Sequence, residues 1–179
     1  MNPDVARIVE EIPPPTGVRP KDWTQVESRL GTVLPADYKQ LVDIYGGGVF
    51  DDTIWLLEPD CANIHYDLLT KNKNRPGELE SLWESGEPNP AELHEEGSKL
   101  VAWAVTENGE YLFWLAHPGW QPGDWTIMIN EGRGPEWESH PMSCSEFLRS
   151  ILLTGGVESD IFFDMPFEEH DFRASADFL

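Results

Sequence analysis

The chain has 179 residues, of which 33 are acidic and 12 basic, giving a formal net charge of −21. No Lys/Arg cluster stands ready to neutralise phosphates, so direct nucleic-acid binding is disfavoured. No run approaches the roughly 18 apolar residues a membrane-spanning helix needs, and the opening MNPDVARIVEEIPPP lacks a basic start followed by an apolar stretch, so no membrane partner and a cytoplasmic location are expected.

In chain order, residues 4–11 predict a short helix with Val5, Ile8 and Val9 on one side, ended by Pro13-Pro14-Pro15 as an extended linker and peripheral to the rest. Residues 23–30 follow with Trp23, Val26 and Leu30 on one helical face, stopped by Gly31. Pro35 opens the next helix, whose apolar stripe is Tyr38, Leu41, Val42 and Tyr45. Gly46 ends it, and Gly47 and Gly48 let the chain swing into a buried strand, Ile54-Trp55-Leu56-Leu57. A helix over 62–71 places Ile64, Leu68 and Leu69 inward and stops before Pro76, with another turn or two over 78–84. Residues 86–97, rich in Gly, Pro and Glu, read as a surface excursion.

The runs 100–106 and 110–115 are apolar almost throughout and flank Asn108-Gly109. Asn-Gly between apolar runs predicts a hairpin, because both residues tolerate the positive backbone angles of a tight turn. Such strands are central ones, covered by helices on one side and by loops or a partner on the other. The sheet continues through 125–130 and a shorter strand at 136–140, with a turn-rich loop at 117–123 displaying Trp120. Ser143 and Glu146 have the spacing of a capping box, opening a helix that runs to Thr154 and packs with Phe147, Leu148, Ile151 and Leu152. Over residues 158–179, Ile161 and the five phenylalanines Phe162, Phe163, Phe167, Phe172 and Phe178 sit among seven acidic residues. This segment either folds back onto the domain or is an acidic-aromatic peptide awaiting a partner.

The residues Trp23, Val26, Glu27, Leu30, Gly31, Leu34, Pro35, Asp37, Tyr38, Lys39, Leu41, Tyr45, Gly46, Gly47, Gly48 and Pro59 resemble the signature of the SUKH superfamily, the Smi/Knr-type proteins. The resemblance covers roughly 21–155, leaving 1–20 as an N-terminal helix with a Pro-rich lead-in and 156–179 as a C-terminal extension. It implies a single α+β domain, a mainly antiparallel sheet packed against N-terminal helices and a C-terminal helix. It gives Trp23, Leu30, Gly31, Leu34, Pro35, Tyr38, Leu41, Tyr45, Gly46 and Gly48 structural roles. Bacterial members are mostly immunity proteins that neutralise a toxin, which makes a cognate toxin the implied partner; the acidic excess would suit a nuclease with a basic cleft. Fungal members imply the alternative, an intracellular regulatory scaffold.

A chain of this length suits one domain able to remove about 70% of its unfolded surface from water. Its eight tryptophans supply either a core or an aromatic surface patch. The acidic excess either keeps the chain soluble or attracts a partner with a basic surface. For the second case the candidate contacts are the loop acids Asp51, Asp52, Glu107, Glu110 and Asp124, with Trp120 as an anchor.

Catalytic and metal signatures are lacking. The five histidines are scattered, and Cys61 and Cys144 belong to no Cys-x-x-Cys pair, so no metal or cofactor is expected and the thiols read as reduced. Gly46-Gly47-Gly48 follows a helix and lacks the Gly-Lys-Ser/Thr ending of a phosphate loop, and no Gly-x-Ser-x-Gly occurs. The chain reads as a protein that occupies a surface, not as an enzyme, and its oligomeric state is not encoded in any visible pattern.

Overall fold

The punctuation of the signature sets the first half of the fold. In a computed structural model that describes residues 1–132 and 134–178, the chain opens with helices α1 (Pro3–Glu11), α2 (Trp23–Leu30) and α3 (Ala36–Tyr45). The Asp22 carboxylate accepts the Gln25 amide to start α2, and Gly31 closes it at φ 79°. Pro35 stands one position earlier than expected, as the N-cap of α3 with an extended ψ of 138°. All four residues of the expected α3 stripe, Tyr38, Leu41, Val42 and Tyr45, are buried.

The lead-in helix is not peripheral. Val5, Ile8 and Ile12 are fully buried, and the Ile12 carbonyl accepts the Tyr45 hydroxyl at 2.5 Å. Arg149 adds an ion pair to Asp4 at 2.6 Å. The apolar face of α1 outweighs the proline run behind it, because such a face is stable only when buried against another element.

The strands are β1 (Gly48–Phe50), β2 (Ile54–Leu56), β3 (Lys99–Thr106), β4 (Tyr111–Ala116), β5 (Thr126–Asn130), β6 (Trp137–His140) and β7 (Phe172–Ala174). Among the described residues they form one sheet in the order β6-β5-β4-β3-β2-β1-β7, antiparallel at every strand pairing. With its helices the sheet makes an α+β fold. β1 was not anticipated: Asp51 and Asp52, at φ 49° and 51°, form a tight turn that returns the chain from β1 into β2. The Asn-Gly hairpin forms with a different turn. Gly109 alone takes a positive φ, its N–H reaches the Thr106 carbonyl at 3.1 Å, and the loop is three residues long.

Helices cover both faces of the sheet. On one face Tyr38 of α3 meets Trp114 edge-on at 4.9 Å. On the other lies α4 (Leu68–Glu84), whose Arg75 guanidinium sits 4.2 Å from the Tyr111 ring centre. This helix runs through Pro76, where a stop was expected. Its interior proline is exposed, and anchors on either side hold the axis: Leu79 is buried beyond it, and before it Asn72 bonds both backbone groups of Ala102, at 2.7 and 2.9 Å. Asn72 thus acts as a short substitute strand where β3 bulges between Ala102 and Ala104. Ile64 lies outside α4, 60% exposed, in a separate turn that instead stacks Tyr66 on Trp55.

Four of the tryptophans, Trp55, Trp103, Trp114 and Trp125, are buried, which decides for a tryptophan core. Helix α5 (Cys144–Arg149) starts with the Ser143 hydroxyl accepting the Glu146 amide, continues through a wider turn over Ser150–Thr154, and ends at Gly155 with φ 63°. Its four expected packing residues are buried. The Asp37 carboxylate ties α5 to α3, accepting from the Ser145 amide at 3.1 Å and the Ser145 hydroxyl at 2.8 Å.

The C-terminal segment folds back in part. Phe162 is buried beside Phe147, and Phe172 packs between Tyr45 and Phe50 with ring centres 4.9 and 4.7 Å away. Phe163, by contrast, is 82% exposed.

Candidate functional site

In an antiparallel meander every second connection falls at the same end of the sheet. The β1–β2, β3–β4 and β5–β6 turns therefore share one rim. The Glu107 amide reaches the Thr53 carbonyl at 3.2 Å, and a Cβ on Gly132 would lie 2.8 Å from the backbone of Gly109. Asp51, Asp52, Glu107, Glu110 and Glu131 gather on this rim. Trp120 and Asp124, on the β4–β5 connection, lie at the opposite end, so the six candidate contacts do not form one surface.

Asp51 is not a solvated loop acid. Its side chain is 1% exposed and accepts the His170 Nδ1–H at 2.8 Å and the Asp171 amide at 2.9 Å, so it anchors the tail. A carboxylate buried beside two donors is satisfied where it stands and has nothing to offer a partner. Asp52, the next residue, is exposed and paired with Arg173. Glu107 is exposed and accepts the Trp55 indole N–H. Glu110 is half-buried against the Thr106 hydroxyl; burial pushes its carboxyl up, and the charge of Glu131 pushes the same way. At the far end Asp124 accepts the Gln121 amide at 3.3 Å in a local turn, while Trp120 is 42% exposed with its ring against His117.

Asp52 and Glu107 border a cleft of about 440 Å³ with Trp55, Tyr66, Arg173 and Phe178. Trp55 and Tyr66 stack with centroids 3.7 Å apart, Phe178 meets Trp55 edge-on at 4.9 Å, and the Arg173 guanidinium lies 4.9 Å from the Phe178 ring centre. Burial first, and then the charge of Glu107, raise the Tyr66 hydroxyl pKa. Sequence reasoning placed Trp55 in a strand and left Tyr66, Arg173 and Phe178 without roles at a site. Alternation along β2 and the parity of the meander were the signals that could have joined them.

A larger cleft of about 580 Å³ separates α4 from the sheet, lined by Leu79, Trp83, Leu93, Val101 and Phe113 among others. Its lining mixes these apolar side chains with polar ones such as Arg75, Glu80, Asn89 and Lys99. Among the described residues no three His, Cys, Asp or Glu side chains gather as a metal site would require, and no helix is long and apolar enough to cross a membrane.

The signature residues serve the fold. Trp23 donates its indole N–H to Asp43 at 3.0 Å, and Tyr38 donates its hydroxyl to the Leu57 carbonyl at 2.6 Å. Glu27 accepts the Leu34 amide at 2.9 Å and the Lys39 ammonium at 2.7 Å, fixing the corner between α2 and α3. Burial acts to raise the Glu27 carboxyl, but these two donors together hold it below its ordinary range. Leu30 packs against the core and Leu34 lies within it. Gly46 takes φ 71° as the C-cap of α3, and a Cβ on Gly48 would strike the Arg173 carbonyl and the Phe172 ring.

Searches of curated proteins and of solved structures find no match. A family model does match: SUKH_6, described as SMI1-KNR4 cell-wall, aligns with residues 20–148, which hold the corner, the glycine turn and the sheet from β1 to β6. The match spans well over half of the chain, and with the signature contacts in place the protein belongs to the SMI1-KNR4 family of the SUKH superfamily.

Proposed function

We propose that this chain is a cytoplasmic immunity protein that binds a cognate bacterial toxin and blocks it by occupying its surface. Membership of the SUKH superfamily is the observation that carries this reading. The acidic rim supports it: Asp52 and Glu107 stand exposed at one end of the sheet in a chain of net charge −21, a field suited to a basic surface such as the substrate cleft of a nuclease. The protein acts by steric and electrostatic complementarity, without catalysis. Co-expression with the toxin encoded beside its gene tests the reading. Growth rescue and a salt-sensitive complex are the expected results; no rescue together with no complex would overturn it.

A second reading, a regulatory scaffold of the Smi/Knr type, draws on the cell-wall description of the matched family and on Phe163, Phe167 and Phe178, which the tail leaves exposed. Replacing the exposed Phe163 and Phe167, which lie outside the rim cleft, by serine separates the two. A scaffold working through that segment loses its partners, whereas an inhibitor working through the domain keeps its toxin.

A further inference from the structure

We infer that the cleft between Asp52, Glu107 and the Trp55–Tyr66 stack is a subsite for a cationic side chain of a protein partner, an arginine above all, and that Arg173 now occupies its outer edge in cis. The inference deepens the immunity reading by naming what the toxin inserts, and it rests on that reading only for the partner's identity.

Three independent features converge. First, the walls are aromatic. Tyr66 lies flat on the buried Trp55 with an interplanar angle of 9°, so the rings left to meet a cation are Tyr66 and Phe178, and ring faces attract cations through their quadrupole. Second, two carboxylates flank these rings from different turns, Asp52 from β1–β2 and Glu107 from β3–β4. Glu107 receives the Trp55 indole N–H, which fixes the carboxylate beside the stack. Third, the cleft already holds a guanidinium. Arg173 is bound to Asp52 and lies over Phe178, so the chemistry proposed for the partner is performed here by the protein's own chain. A volume of about 440 Å³ leaves space beside it for a second long side chain.

Arg173 is also easily displaced. Its side chain is 47% exposed, its distance to Asp171 is 4.0 Å, and its backbone is held independently by the pairing of β7 with β1. A partner's arginine can take over Asp52 while Arg173 swings into solvent and the strand remains in place.

The test is an NMR titration of the full chain at 150 mM salt with the peptide acetyl-Gly-Arg-Gly-amide, against the same peptide carrying citrulline, the uncharged isostere. The Arg peptide is expected to give saturable shifts centred on the Trp55 indole N–H and the Tyr66 ring, and the citrulline peptide none. Asp52→Asn and Glu107→Gln should each weaken binding about threefold or more, the loss of one exposed charge contact. Asparagine also tolerates the positive φ of position 52, and glutamine keeps an acceptor for Trp55. Arg173→Gln should tighten binding by a similar factor, because it frees Asp52. Removing two exposed charges elsewhere, Glu84→Gln with Glu92→Gln, should leave affinity unchanged. The inference is overturned if shifts fail to saturate, if citrulline binds equally, if all carboxylate variants weaken binding alike, or if Arg173→Gln weakens it. No toxin enters this experiment, so failure here with rescue in co-expression discards the subsite and leaves the immunity reading standing.

Discussion

The side-chain amide of Asn72 faces the backbone of Ala102 as a neighbouring strand would, donating to its carbonyl at 2.9 Å and accepting its N–H at 2.7 Å. Ala102 is fully buried, so neither group has water to turn to. Asn72→Ala leaves both without partners and should cost about 2–4 kcal/mol, summing two desolvated backbone groups. Urea unfolding measures this. Asn72→Asp restores only the acceptor and should be nearly as damaging, because its carboxylate faces a carbonyl.

Gly48 and the tail are coupled. Gly48→Ala drives a methyl into the Arg173 carbonyl and the Phe172 ring, with the Ala174 Cα 2.9 Å away, and should destabilise the chain by about 2–3 kcal/mol. In a chain truncated at residue 170 the same substitution should cost clearly less, since the obstacle has gone and only the backbone strain at Gly48 remains. Equal costs in the two backgrounds would show that Gly48 serves the β1–β2 hairpin alone.

Asp37 holds two helix starts together. Asp37→Ala strands the Ser145 amide and hydroxyl and should cost about 3 kcal/mol. Cys144 donates its thiol to the same carboxylate at 3.3 Å and is fully enclosed, and burial, reinforced by Asp37, pushes its pKa well up. Native iodoacetamide labelling should therefore modify the half-buried Cys61 first. In the variant, Cys144 should become reactive as α5 loosens.

Glu110 gives the rim a pH dependence. Burial raises its carboxyl above the unfolded value, so the folded state binds this proton more tightly than the unfolded chain does. Its contribution to stability is then complete below the unfolded carboxylate range and is lost as pH rises through the folded value. Glu110→Gln should abolish that loss, raising Tm at pH 7 by about 1–3 °C and leaving it nearly unchanged at pH 4. Thermal melts across that range check the sign.

Those parts of the fold that rest on local chemistry were legible in the sequence. Gly31 and Pro35 delimit α2 and α3 because backbone freedom and backbone restriction act at single residues, and Ser143 marks α5 for a similar reason. Parts resting on distant partners were not. β1 and β7 have three residues each, too few to show alternation, and they pair across more than 120 residues of chain. Pro76 reads as a stop unless Asn72 and Leu79 are known to be anchored on either side of it.

The candidate surface was legible in composition but not in arrangement. Exposed loop acids were foreseen, and Asp52 and Glu107 are such acids. Asp51 looks the same in sequence, yet His170 and Asp171 bury it from 119 and 120 positions away. The separation of Trp120 and Asp124 from the others follows from strand parity, which requires knowing that β2 to β5 pair antiparallel in chain order.

The order in which the sheet closes carries a last consequence. A chain emerging from the ribosome presents Gly48 to Phe50 early, but the segment that shields their outer edge is made more than 120 residues later. Until translation passes Ala174, β1 offers unpaired amides and carbonyls to any extended peptide nearby. The nascent protein is thus open to mispairing until β7 is made, and chains terminated before β7 should be the aggregating species in the cell.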